Sequence, residues 1–345
     1  MKAMTGLVMI MTRKLNQVRN SFYVYLPREW CDEHRLDKDS EVSLERTQDG
    51  TLHVTPSVLT PKETAPLAIA IDRQHRDDLS NLLVGAYIVG AGELELKFSE
   101  SLDMATREEI SRWVDKLEGW GILDEHSKSM LISDILTSDR EVIRKVLKRQ
   151  FATAKYMLER MISAIEAGEI ADYSHIVSRD EQVDRNRYLV ERLCHLVLRD
   201  PSYARKIALS PPDALSFSLA AKFVERVADH ICGAINEILN IKKVDTKLTK
   251  LTSRISSLYE STTSIFFSID KKGRSSSVEL ADEASEAFES LREANSLVES
   301  LSRLESSRSE KSPHEIILAL HLERIASYCA DIIEIGINRI IEARL

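Results

Sequence analysis

Residues 219–232 read Leu219-Ala-Ala-Lys-Phe-Val-Glu-Arg-Val-Ala-Asp-His-Ile-Cys232, and residues 317–330 read Ile317-Leu-Ala-Leu-His-Leu-Glu-Arg-Ile-Ala-Ser-Tyr-Cys-Ala330. Glu225, Arg226 and Ala228 recur as Glu323, Arg324 and Ala326 at one constant spacing. Both copies have helical period, with Ala220, Phe223, Val227, Ile231 and Ile235 in the first and Leu318, Leu322, Ile325 and Ile332 in the second. A repeat of this size implies a duplicated structural unit. In the first copy Glu225 and Asp229 stand four apart, so both carboxylates leave one helix face. That pair is either a metal half-site or a solvated edge.

From Thr137 onward the sequence reads as helix nearly throughout: Asp139 to Ala167, Asp172 to Leu198, Pro212 to Lys242, Thr246 to Ile269, Ser275 to Glu305 and Pro313 to Ala343. Gly168, Pro201, Pro211-Pro212, Gly273 and Pro313 punctuate them. Six helices in two triplets fit the duplication, as up-down-up bundles over 137–242 and 245–345. On the helix before the first signature, Asp180 and Asp184 again stand four apart, beside Ile176, Val183, Val190 and Leu193. If the two helices are antiparallel neighbours, Asp180, Asp184, Glu225 and Asp229 converge, an oxygen-rich set of the kind hard or borderline cations bind. Acidic residues at this spacing are more often solvated or ion-paired, and Arg185, Arg226 and His230 are at hand.

The DxxxD helix followed by a Glu-Arg-Val-Ala-Asp helix resembles the PhoU phosphate-uptake regulators. The resemblance covers residues 137–345 and includes the duplication. It implies two three-helix bundles whose acidic motifs bind metal clusters, iron or zinc first, with magnesium or manganese as further candidates, and a phosphate-transporter ATPase as a possible partner. The second copy departs, because Ser327 stands where the first has Asp229. A weaker second set remains in Asp282, Glu286 and Glu323.

The chain of 345 residues, 43% hydrophobic and 30% charged, suits several globular domains. No run approaches the roughly 20 apolar residues a bilayer needs, and no secretion signal opens the chain. A cytoplasmic protein without membrane insertion is expected. Cys31, Cys194, Cys232 and Cys329 are scattered without a CxxC pair and read as reduced thiols. The net charge is −8, yet up to Arg28 the only charged side chains are Lys2, Arg13, Lys14, Arg19 and Arg28, all cationic. The N-terminal tip alone suits a polyanion.

Residues 7–56 read as a small β-rich unit. Strands are expected over Leu7 to Leu15 and Ser21 to Leu26 around a polar turn at Asn16 to Asn20, with Phe22, Val24 and Leu26 on one face. Pro27 opens a short helix through His34, Asp37 to Ser40 makes a turn, and strands Glu41 to Arg46 and Thr51 to Thr55 join at Asp49-Gly50. About fifty residues bury little core alone, so such a unit is expected to pair with a second copy. Thr12-Arg-Lys-Leu-Asn-Gln-Val-Arg-Asn-Ser-Phe-Tyr-Val-Tyr-Leu-Pro-Arg-Glu-Trp30, followed by Asp37 to Leu44, resembles the SpoVT/AbrB DNA-binding domain in its archaeal form. That likeness implies an intertwined, swapped-hairpin, barrel-like homodimer over residues 1–57. It would present Arg13, Lys14, Arg19, Asn20 and Ser21 to double-stranded DNA. The turn departs by lacking glycine at Arg19-Asn20.

Pro56, Pro61 and Pro66 mark a linker, and residues 66–135 read as a small α/β sandwich that serves ligand sensing or spacing, with spacing favoured. Its strands are expected at Leu67 to Ile71, Glu93 to Phe98, Ile122 to Asp124 and Met130 to Ile132, its helices at Arg73 to Val89 and Thr106 to Glu118. Gly85, Gly90 and Gly92 form no phosphate-binding fingerprint, and the chain contains no P-loop, no Glu-x-x-His ligand pair and no nucleophile motif. An enzyme is therefore not expected. The reading is a homodimeric DNA-binding regulator of phosphate uptake with a metal-binding helical sensor. The alternative is a PhoU-like adaptor that restrains a phosphate transporter by protein contact and uses its N-terminal unit only to dimerise.

Overall fold

The computed structural model describes residues 12–46, 50–56, 66–72, 78–134, 142–167, 173–241, 244–271, 277–306 and 312–343. They fall in two compact units, Met1–Ala65 and Pro66–Leu345.

The first unit contains two antiparallel hairpins. Strands β1 (Asn16–Val18) and β2 (Ser21–Tyr23) pair with Val18 opposite Ser21, so the turn contracts from the expected Asn16 to Asn20 to Arg19-Asn20 alone. Arg19 supplies the positive φ, 54°, that glycine would adopt without a Cβ penalty, and the Gln17 amide donates to its carbonyl at 3.0 Å. The strand expected over Leu7 to Leu15 lies outside the described residues up to Met11, and residues 12–15 are not in a strand. Helix α1 (Arg28–Glu33) follows Pro27, and the Asp37 turn closes where the Ser40 hydroxyl donates to Asp37 Oδ1 at 2.7 Å. Strands β3 (Val42–Arg46) and β4 (Leu52–Pro56) complete the unit, and Gly50 between them holds φ 83°. The described residues of this unit form two separate two-stranded sheets and no closed barrel. Phe22, Tyr25, Leu44 and Leu52 are each about two-thirds exposed, because short hairpins have no third layer to cover them.

The second unit opens with β5 (Leu67–Ile71), α2 (Leu79–Ile88), β6 (Glu93–Phe98), α3 (Met104–Lys116), β7 (Trp120–Glu125) and β8 (Ser129–Asp134). Strand order is β5-β6-β8-β7, with β5 parallel to β6 and the other pairs antiparallel. Alternation decides the faces: Leu94, Leu96 and Phe98 are buried, while Glu93 and Lys97 are exposed. Residues 73–77 of the expected first helix lie outside the described residues. Asp103 caps α3 by accepting from the Thr106 N–H at 2.8 Å.

Helices then follow: α4 (Val142–Ala167), α5 (Tyr173–Arg199), α6 (Pro201–Ile207), α7 (Pro211–Ile238), α8 (Thr246–Phe266), α9 (Ser268–Lys271), α10 (Ser277–Ser306) and α11 (Pro313–Glu342). The six long ones match the sequence reading, and both signature helices start alike, with Ser210 or Ser312 as N-cap and proline behind it. Helices α4, α5 and α7 pack together, as do α8, α10 and α11. The triplets are not independent, since α7 also packs on α11 and α4 on α8, and one continuous core runs through both. At its centre Phe151 of α4 stacks on Phe266 of α8, ring centroids 5.5 Å apart. The α7–α11 approach is close enough that a Cβ on Gly233 would sit 2.3 Å from the His321 ring.

The sheet layer is built onto α5 rather than strung beside it. Tyr188 joins the apolar core of the sandwich, and buried Arg192 donates to the carbonyls of Tyr87 and Ala91, at 2.6 and 3.0 Å, and to Asp134 Oδ2 at 2.6 Å.

Candidate functional site

Helices α5 and α7 bring the four first-repeat carboxylates to one seam. Asp180, Asp184 and Arg187 project from α5, and Lys222, Glu225, Arg226 and Asp229 from α7. The structure divides the acids into two kinds. Glu225 is buried, 6% exposed, and is ringed by cations: Arg187 Nε and Lys222 Nζ at 3.5 Å from Oε1, and Arg226 Nε at 3.6 Å from Oε2. The other three carry less compensated charge. Burial, then the charges of Asp184, Asp229 and Glu225, push Asp180 up to about 7. Burial and Glu225 push Asp184 up to about 6 against the opposing pull of Arg187. Asp229 is raised by burial and Glu225, although Arg226 Nη1 reaches it at 3.4 Å. Asp180 Oδ1 is buried without a hydrogen-bond partner.

Oxygen donors under mutual repulsion, one of them orphaned, are the kind of set a hard or borderline cation relieves. Among the described residues no three His, Cys, Asp or Glu side chains stand ready-made around a single point. A cation at this seam would draw Asp180, Asp184 and Asp229 inward by side-chain rotation, while Glu225 is already held by its three cations. Lys116 of α3 adds a further charged group from the sandwich, 3.1 Å from Glu181 and close enough to Asp184 to oppose its upward shift.

The second repeat is poorer. Glu323 contacts Arg324 Nε at 3.6 Å and accepts from the Ser327 hydroxyl at 3.4 Å, while Asp282 and Glu286 on α10 are exposed. Between the repeats lies a pair that sequence reading missed. His230 Nδ1 and His321 Nδ1 are 2.9 Å apart, and burial followed by the facing His321 lowers His230 to about 4. The two residues sit on opposite sides of their glutamates in the two copies, so the repeat alignment itself hides the pairing.

In the N-terminal unit Arg13, Lys14, Arg19, Asn20 and Ser21 are all exposed. Arg19 and Asn20 form the hairpin turn and Ser21 opens β2, whereas Arg13 and Lys14 precede β1 at the other end of the hairpin. The expected single turn flanked by all three cations is replaced by cations at both ends, because the strand begins at Asn16.

The fold and seam define a helical-bundle protein with a carboxylate-bearing first repeat, a sheet layer docked on it and a small N-terminal strand unit. Comparison with protein families agrees in both places: residues 135–238 match the PhoU domain, and residues 15–62 match the domain described as antidote-toxin recognition MazE, bacterial antitoxin, an AbrB-like domain. The PhoU match coincides with α4 to α7, the triplet that carries the four carboxylates. No curated protein and no solved structure matches the chain. No helix among the described residues is long and apolar enough to cross a membrane.

Proposed function

We propose that the chain is a cytoplasmic, homodimeric regulator of phosphate uptake that binds operator DNA through its N-terminal unit and responds to a cation, and to phosphate or a partner protein, through its helical unit. The observation that carries this reading is the presence of a PhoU domain and a MazE/AbrB-like domain in one chain. PhoU domains point to phosphate-related regulation and MazE/AbrB-like domains to DNA binding, and both are regulatory rather than catalytic families. The exposed apolar side chains Phe22, Tyr25, Leu44 and Leu52 support dimerisation, since a second copy would bury them. The cation, iron or zinc by preference, would lie among Asp180, Asp184 and Asp229 with Glu225 behind them. Bound there, it supplies positive charge that removes the carboxylate repulsion and ties α5 to α7.

The test is retention of duplex DNA as a function of salt. Arg13→Glu with Arg19→Glu should abolish binding in the wild-type salt range, because each cation lost from a phosphate contact lowers the salt slope by about one. Unchanged affinity would favour the adaptor reading, in which the N-terminal unit only dimerises.

A further inference from the structure

Helix α5 presents a second polar stripe, one residue round from the carboxylates. Arg179, Gln182 and Asn186 lie along it at helical spacing and face Arg149, Thr153 and Tyr156 of α4. Between them runs an open groove of about 240 Å³ lined by Arg149, Ala152, Thr153, Tyr156, Arg179 and Gln182. Ala152 supplies only a methyl group to the lining, which leaves room where a longer side chain on α4 would fill the space.

We propose that this groove binds a phosphoryl group. Two guanidiniums from different helices line it, and no carboxylate does. The groove lies on a locally basic helix in a chain of net charge −8, since α4 also carries exposed Lys145 and Lys148. Each guanidinium is held by a neutral amide oxygen. Asn186 Oδ1 accepts from Arg149 Nε at 3.1 Å and from Nη2 at 2.6 Å, and Gln182 Oε1 accepts from Arg179 Nη1 at 3.1 Å. An amide orients a guanidinium without neutralising it, which leaves the Arg179 charge available to a ligand. Arg149 Nη2 also forms an ion pair with Glu118 of the sandwich at 3.7 Å, so its charge is partly compensated and Arg179 is the stronger anion contact. The planar fork matches the oxygens of a phosphate, which it can engage by two parallel N–H bonds. The Tyr156 phenol and the Gln182 amide nitrogen add uncharged donors, while the Thr153 hydroxyl already donates to the Arg149 carbonyl at 2.9 Å. Inorganic phosphate and a phosphoester offer the same terminal oxygens, and the groove's open side admits either. The inference deepens the reading above, in which the helical unit responds to phosphate, and rests on that reading, while none of the groove's lining residues belongs to the carboxylate seam or to the hairpin.

The experiment is calorimetric titration of the full chain with inorganic phosphate and, separately, with a nucleoside monophosphate. Sulfate serves as competitor. Four proteins are compared: wild type, Arg179→Gln, Arg149→Lys, and the hairpin double variant Arg13→Glu, Arg19→Glu. Saturable binding is expected in wild type and in the hairpin variant. Arg179→Gln should weaken it at least tenfold, and Arg149→Lys several-fold, because lysine keeps the charge but loses the fork. Arg179 is exposed, so its variant should melt at the wild-type temperature without phosphate and carries the test should Arg149 variants fold poorly. Tighter binding of inorganic phosphate than of the monophosphate identifies the free anion as ligand, and the reverse order a phosphoester. Absence of saturable binding in wild type, equal affinity in Arg179→Gln, or loss of binding only in the hairpin variant would each overturn the proposal. The DNA-retention test is read on other residues, so either result can fail without the other.

Discussion

Arg192 Nη2 of α5 lies 2.6 Å from Asp134 Oδ2 at the end of β8, and the same guanidinium also holds the carbonyls of Tyr87 and Ala91. Its plane rests 4.8 Å from the Tyr87 ring and 5.8 Å from Trp120. A single buried cation thus ties the sheet layer to the helical bundle, which makes the layer a fixed part of the unit.

Arg192→Ala should therefore be costly. It removes a nearly buried cation from a pair whose Asp134 partner is 28% exposed and strands two carbonyls, a loss of about 3 kcal/mol. Arg192→Lys should recover only part, because one ammonium cannot reach three acceptors in the arginine's fork geometry. Urea unfolding followed by circular dichroism and by tryptophan fluorescence measures both. A shift under about 1 kcal/mol for the alanine variant would mean that apolar contacts around Tyr188 hold the layer unaided.

At the hairpin turn, Arg19 pays a conformational cost that glycine would not. A non-glycine residue in the left-handed region costs roughly 1–2 kcal/mol, so Arg19→Gly should slow amide exchange across β1 and β2. The same change removes a candidate phosphate contact and should lower the salt slope of DNA binding by about one. Arg19→Val should do the opposite to the hairpin, since a β-branched side chain tolerates positive φ worst. Equal exchange in all three proteins would show that the turn relaxes to another conformation at no cost.

The carboxylate seam predicts a pH dependence with a definite sign. Unfolded, Asp180 and Asp184 ionise near 3.8; folded and free of metal, they hold their protons to about 7 and about 6. Between those values the folded chain binds more protons than the unfolded one, so their contribution to stability falls as pH rises from about 4 to 7. Below about 4 both states are protonated and the contribution vanishes. In chelator, Asp180→Asn should melt above wild type at pH 8, with the gap closing toward pH 4. A gap that is constant with pH would assign the effect to packing rather than to charge.

The long helices were legible because apolar period and punctuation coincide: Ser210-Pro211 and Ser312-Pro313 mark helix starts in sequence as in structure. The acidic seam followed from two four-residue spacings on neighbouring helices. Pairings between distant faces were not legible. Nothing local says that Arg192 reaches β8, that Gly233 clears room for the His321 ring, or that Glu225 collects Arg187, Lys222 and Arg226. The short helix α6 hides behind Pro201, since a proline after Asp200 signals a break as readily as the capped first turn it forms here, and α9 begins inside the expected Thr246 to Ile269 helix.

The two repeats should differ in cation binding. In the first, Asp180, Asp184 and Asp229 repel one another across a half-buried seam, so a cation gains both ligands and relief of that repulsion. In the second, Ser327 replaces the equivalent of Asp229, its hydroxyl donates to Glu323, and Asp282 and Glu286 are solvated and cost little as free anions. The second seam therefore lacks both a ligand and the electrostatic debt that a cation would settle. Asp184→Asn combined with Glu225→Gln should remove most of the metal found by elemental analysis and lower the melting temperature of the loaded protein, while Glu323→Gln should change neither. Ser327→Asp supplies the converse. It restores an anionic side chain four residues from Glu323 on the same face of α11 and should raise the bound metal above the wild-type ratio. Equal loss from the two glutamate variants would contradict the asymmetry, and wild-type protein that stays metal-free after reconstitution would leave the first seam a solvated edge whose acids are neutralised by Arg187, Lys222 and Arg226 alone.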